Sequence, residues 1–171
     1  MKVVINDANI LIDIAKLELL EEFSNLNFEM YTTDFVFEEI DDEQRNPVEK
    51  LIEQNIITII ETEETEDYQG ITNLLESSTG LSFEDCSVWY YSKKLSGALL
   101  TGDGKLRKEV RKDGIEVRGI IYLFDELLKQ GIITFELAID KIEELKILNN
   151  RLPINEIEKR IESWKNKEYV G

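Results

Sequence analysis

Five short apolar runs separated by stretches with helical spacing constrain this chain more than any other feature. The runs cover residues 3–6, 29–33, 56–60, 98–101 and 115–118, rich in Val, Ile, Leu or Tyr and bounded by polar residues or Gly. Such runs suit strands buried on both faces. Between them apolar residues recur every three to four positions, as at Ile10, Ile14 and Leu17, or at Leu106 and Val110. Strand and helix alternating in this way predict parallel pairing with helices on both faces of the sheet. The expected fold class is α/β, a three-layer α/β/α sandwich with a central parallel sheet.

Beyond Arg118 the pattern is helical only. Ile120, Leu123, Phe124, Leu127 and Leu128 form one amphipathic stretch that Gly131 should end. Leu137, Ile139, Ile142, Leu145 and Leu148 form a second, and Pro153 is placed for the first turn of a third carrying Ile154, Ile157 and Ile161. At 171 residues, with no Ser/Gly linker and no repeat, the chain is expected to be one core. Residues 1–130 would form the α/β domain, and 131–171 a helical extension packed on it.

Charge and missing residue types exclude several functions. Acidic side chains outnumber basic ones 36 to 20, a net charge of −16, which argues against a protein that coats DNA by bulk charge. The excess is local. Residues 38–80 hold 13 acidic and 2 basic side chains, whereas residues 81–120 hold 6 acidic and 8 basic. There is no histidine, hence no Ser-His-Asp or Cys-His catalysis and no His-based zinc site. Cys86 is the lone cysteine, so no intramolecular disulfide forms, and a reducing, cytoplasmic setting is expected. No apolar run reaches the roughly 20 residues that span a bilayer, and no membrane partner is expected.

In a parallel α/β sheet, ligands bind beyond the carboxyl ends of the strands. Four acidic residues fall near such places. Asp7 follows the first strand and Asp103 the fourth, in Thr101-Gly102-Asp103-Gly104. Glu39 is expected one and a half turns into the helix after the second strand, and Asp85 in the first turn of a helix beginning near Ser82. Converging carboxylates stay ionised together only beside a cation. Oxygen-only ligands suit Mg²⁺ or Mn²⁺, ions that activate water and polarise a phosphate without histidine.

Four segments carry a resemblance. They are Val3-Val4-Ile5-Asn6-Asp7-Ala8-Asn9, Thr33-Asp34-Phe35-Val36-Phe37-Glu38-Glu39-Ile40, Leu81-Ser82-Phe83-Glu84-Asp85-Cys86-Ser87 and Leu99-Leu100-Thr101-Gly102-Asp103-Gly104. In this order, each after the expected element, they resemble a PIN domain over roughly residues 1–130. The resemblance implies a Mg²⁺- or Mn²⁺-dependent endoribonuclease with Asp7, Glu39, Asp85 and Asp103 as catalytic metal ligands, and Asn9 and Thr101 as accessory polar residues. Many prokaryotic proteins resembling this one are VapC-like toxins neutralised by a small antitoxin. The partners implied are RNA, a basic antitoxin segment drawn to the acidic surface, and a second copy of the chain. One departure concerns Ala8, where family members commonly carry Ser or Thr.

Each residue also has a plainer reading. Asp7 and Asp103 suit helix N-caps, Asp85 suits a helix N-terminus, and Glu39 lies in the acidic run Glu38-Glu39-Ile40-Asp41-Asp42-Glu43. Cys86 suits a small buried hydrophobe, and Trp89, Tyr90 and Tyr91 suit helix packing. After Asp103, Lys105, Lys108 and Lys112 share one helical face and form the expected substrate rim, with Arg107 and Arg111 on the neighbouring face. The competing function is an interaction module that keeps the fold, has a degenerate metal site and binds a basic protein. An aspartyl-nucleophile phosphohydrolase is disfavoured because Asn9 stands where a second Asp would act as acid/base. A receiver-like phospho-acceptor is disfavoured because its Asp would follow a middle strand.

Overall fold

The computed structural model describes residues 1–170. In chain order the elements are β1 (Lys2–Asn6), α1 (Ala8–Leu17), α2 (Leu20–Ser24), β2 (Phe28–Thr33), α3 (Asp34–Glu39), α4 (Asp42–Glu53), β3 (Thr58–Ile60), α5 (Thr65–Ser77), α6 (Phe83–Lys94), β4 (Ala98–Leu100), α7 (Gly104–Arg111), β5 (Val117–Arg118), α8 (Ile120–Lys129), α9 (Phe135–Leu148) and α10 (Ile154–Lys165). All five expected strands form. They make one sheet of order β3-β2-β1-β4-β5, parallel throughout. Val4, Ile5, Leu99 and Leu100 are completely buried, as strands covered on both faces require.

The order of the sheet locates its ligand crevice. The chain builds outward from β1 to β2 and β3, then returns to lay β4 on the other side of β1. Strand order reverses between β1 and β4, and parallel sheets open a crevice beyond the carboxyl ends at such a reversal. The Asp7 N–H donates to the Leu100 carbonyl at 3.0 Å, so the two strand ends are pinned together there.

The C-terminal helices belong to the same hydrophobic core as the sheet. Ile142 and Leu145 of α9 and Ile157, Ile161 and Trp164 of α10 are buried with it, each aliphatic side chain contributing about 2 kcal/mol. Gly131 ends α8 as expected. At φ 69° it takes the left-handed conformation, and its N–H and that of Ile132 satisfy the carbonyls of Leu128 and Leu127. Two details differ from the sequence expectation. Leu148 is half-exposed at the end of α9, whose buried stripe is Ala138, Ile142 and Leu145. Pro153 caps α10 from outside instead of sitting in its first turn, and Ile154 is partly exposed. Among the described residues, no helix is long and apolar enough to cross a membrane.

Candidate active site

Three of the four acidic residues stand around the β1/β4 crevice, each held by a backbone N–H at a helix start. Asp7 is the N-cap of α1, its Oδ1 accepting from the Ala8 N–H at 2.9 Å. Asp103 is the N-cap of α7, its Oδ1 accepting from the Leu106 N–H at 3.0 Å. Asp85 closes a capping box at the start of α6. The Ser82 N–H donates to its Oδ2 at 3.0 Å, and its own N–H donates to Ser82 Oγ at 3.1 Å. Helix α6 is tied to the end of β2 by Thr33 Oγ1 and Ser87 Oγ, 2.7 Å apart. The capping reading and the site reading therefore describe the same atoms. A cap occupies one carboxylate oxygen, and Asp85 Oδ1 and Asp103 Oδ2 accept no hydrogen bond among the described residues.

Thr101 and Asn9 bridge the two strand ends. Thr101, fully buried, donates its hydroxyl to Asp7 Oδ2 at 2.7 Å and accepts from the Asp103 N–H at 3.0 Å. Asn9 donates weakly to Asp7 Oδ2 at 3.5 Å and accepts from the Gly102 N–H at 3.0 Å. Both accessory residues thus fix the loop carrying Asp103 against the carboxylate of Asp7.

The electrostatics are unbalanced. Asp7 is only 6% exposed. Burial pushes its carboxyl up to about 6, against the pull of the Thr101 and Ala8 hydrogen bonds, and the charges of Asp85 and Asp103 push the same way. Asp85 is also raised, by burial and then by Asp103 and Glu84, with the Ser82 hydrogen bonds opposing. No cationic side chain forms an ion pair with Asp7, Asp85 or Asp103 among the described residues.

Glu39 lies differently. Helix α3 has six residues and Glu39 is the last of them, exposed, with no hydrogen bond or ion pair among the described residues. The charges that act most on Asp7 are those of Asp85 and Asp103. Among the described residues, no group of three or more acidic or thiol side chains is arranged to hold a metal ion. The donor chemistry nevertheless suits Mg²⁺. That ion retains several waters and takes one or two carboxylates plus substrate phosphates, so a protein cage of three is unnecessary.

A groove of about 980 Å³ opens from Asn9, Gly102 and Asp103 toward the α9–α10 connection. Arg107 and Arg111 line it, whereas Lys105, Lys108 and Lys112 do not. Lys112 is instead paired with Glu109 at 2.9 Å. The sequence separated the two faces of α7 but did not show which one meets the groove. Arg151 and Arg160, which also line it, were not singled out. The signal available was residue type, since a guanidinium fork suits phosphate better than an ammonium does.

The fold and site define an α/β protein with carboxylates gathered at the β1/β4 reversal of a parallel sheet. The family comparison agrees: the DUF3368 family model, a PIN domain, matches residues 3–166, and the chain belongs to that family. The match reaches through α9 and α10, further than the roughly 130 residues over which the motifs alone suggested it. A comparison with curated proteins finds no match.

Proposed function

We propose that the protein is a Mg²⁺- or Mn²⁺-dependent endoribonuclease. The supporting observation is the group formed by buried Asp7, half-buried Asp85 and exposed Asp103, none paired with a cation, whose mutual repulsion a divalent ion would relieve. Asp7 and Asp103 would hold the ion, with Asp85 acting directly or through water and Glu39 closing the site from the end of α3. When bound there, such an ion would supply an activated water and offset charge on the scissile phosphate. Thr101 keeps Asp7 ionised and oriented by donating to Oδ2. Asn9 holds the Gly102-Asp103 backbone in place. A protein general base would be unnecessary if the ion lowers the pKa of its water sufficiently.

Within this proposal the biological role is that of a toxin restrained by an antitoxin. A basic antitoxin segment would be attracted to the acidic surface of residues 38–80. The competing reading, a weak or inactive PIN-fold module that binds a basic protein, draws on Glu39, exposed and without an ion pair, and on Ala8.

Cleavage of an end-labelled RNA pool with Mn²⁺, Mg²⁺ or EDTA decides between them. The nuclease reading expects products with either metal, none in EDTA, and none from Asp7→Asn or Asp103→Asn. A folded protein that leaves the pool intact in every condition would falsify it.

A further inference from the structure

The groove beside the carboxylates is cationic in a protein of net charge −16. Six basic side chains line it against four acidic ones; Arg160 pairs with Asp125 and Glu156, and Arg118 with Glu116 outside the groove. Asp125 is gripped by Arg160 through three contacts of 3.0–3.2 Å, Asp13 accepts from Asn149, and Asp103 caps α7. Arg107, Arg111 and Arg151 form no ion pair and no side-chain hydrogen bond among the described residues.

Their positions follow from the fold. Arg107 and Arg111 are one and two turns beyond Asp103 on α7, about 6 and 12 Å along the helix axis. Arg107 packs at the start of α8, where a β-carbon on Gly119 would lie 3.6 Å from its Nη1 and 3.9 Å from the Thr101 carbonyl oxygen. That places a guanidinium beside the ends of β4 and β5. Arg151 comes from the α9–α10 connection and lines the same groove. Burial, and then the nearby Arg111 and Arg118 charges, pull Arg107 below the usual guanidinium range.

We propose that this groove carries the RNA strand away from the carboxylate site, with Arg107, Arg111 and Arg151 binding its phosphates. The assignment rests on the nuclease reading for its choice of RNA, because the groove opens at Asp103. It makes the C-terminal helices a wall of the substrate channel as well as part of the core. It also moves the phosphate contacts from the Lys105, Lys108 and Lys112 face of α7 to the arginine face.

The test is binding of a fluorescein-labelled oligouridylate to the full chain in EDTA, across a salt titration. Arg111 and Arg151 are exposed, so their removal spares the core. Arg111→Ala with Arg151→Ala should weaken binding about tenfold or more and flatten the salt slope by about 0.7 per arginine. Lys108→Ala should change affinity less than about twofold. Arg107→Lys should retain more affinity than Arg107→Ala. Unchanged affinity in the double variant, or no RNA binding by the unaltered protein, overturns the proposal. So does stronger competition by an oligoglutamate peptide than by unlabelled RNA, which would make the groove a seat for an acidic protein segment. If the arginine variants cut RNA with unaltered KM, the groove assignment fails and the nuclease reading stands. If arginine-dependent binding holds but metal-dependent cutting never appears, the nuclease reading fails and the groove assignment stands.

Discussion

Asp7 and Asp67 are almost equally shielded from solvent, 6% and 5% exposed, yet their surroundings act in opposite directions. Asp67 joins α5 to α6 just beneath the surface. It accepts from Lys94 Nζ and from the Tyr90 hydroxyl, both at 2.6 Å, and these contacts hold its carboxyl below the usual range. Asp7 lies deeper, at the end of β1. It has neutral donors and two like-charged neighbours, and its carboxyl rises to about 6. A carboxylate given its own cation by the fold serves packing. One left without a cation, among other acids, at a sheet reversal is where the proposed function seats an external cation.

The contrast can be broken most sharply through activity. Asp7→Asn should lower RNA cleavage at least about 100-fold, the loss expected on removing a metal ligand, as measured by initial rates with Mn²⁺. Asp67→Asn should leave the rate within about twofold. Equal losses in both variants would erase the distinction.

Stability should change with opposite signs. At neutral pH in EDTA, ionised Asp7 is a burden, and Asp7→Asn should raise unfolding free energy by about 2 kcal/mol in urea titrations. Asp67→Asn should lower it, because Lys94 and Tyr90 lose their anion. The pH windows separate the two effects as well. The raised Asp7 contributes stability that is complete below the unfolded-chain value near pH 4 and lost as pH rises through about 6. The lowered Asp67 contributes stability present above that unfolded value and lost as pH falls through its folded value. In EDTA, stability should therefore fall between about pH 4 and 6.5, and saturating Mg²⁺ should reduce that fall. A rise across this window would contradict the assignment.

Smaller effects refine the Asp7 side. Thr101→Val removes the hydroxyl shared by Asp7 and the Asp103 N–H. It should cut activity about tenfold and raise the Asp7 carboxyl further, a shift readable by NMR titration. Ala8→Ser restores a hydroxyl beside Asp7 and should change the rate by no more than about threefold, upward.

Much of this was legible in the sequence, for specific reasons. The strands were visible because a parallel sheet buried on both faces needs continuous apolar runs, as at Val4-Ile5 and Ala98-Leu99-Leu100. The helix starts at Asp7, Ser82 and Asp103 were visible because caps have a residue signature. Helix α2 was not visible: its five residues bury only Phe23 and have no side-chain cap. The length of α3 was not visible either, because extended backbone at Ile40 ends the helix just after Glu39. The groove depends on contacts between α7, the start of α8 and the α9–α10 connection, and no local pattern on α7 says which charged face will meet them.

The most direct test is Mn²⁺ binding by isothermal calorimetry at pH 7.5, comparing the unaltered protein with Asp103→Asn and Asp67→Asn. The account predicts binding by the unaltered protein and by Asp67→Asn, and its loss in Asp103→Asn. No binding by the unaltered protein, or equal binding by all three, would contradict it.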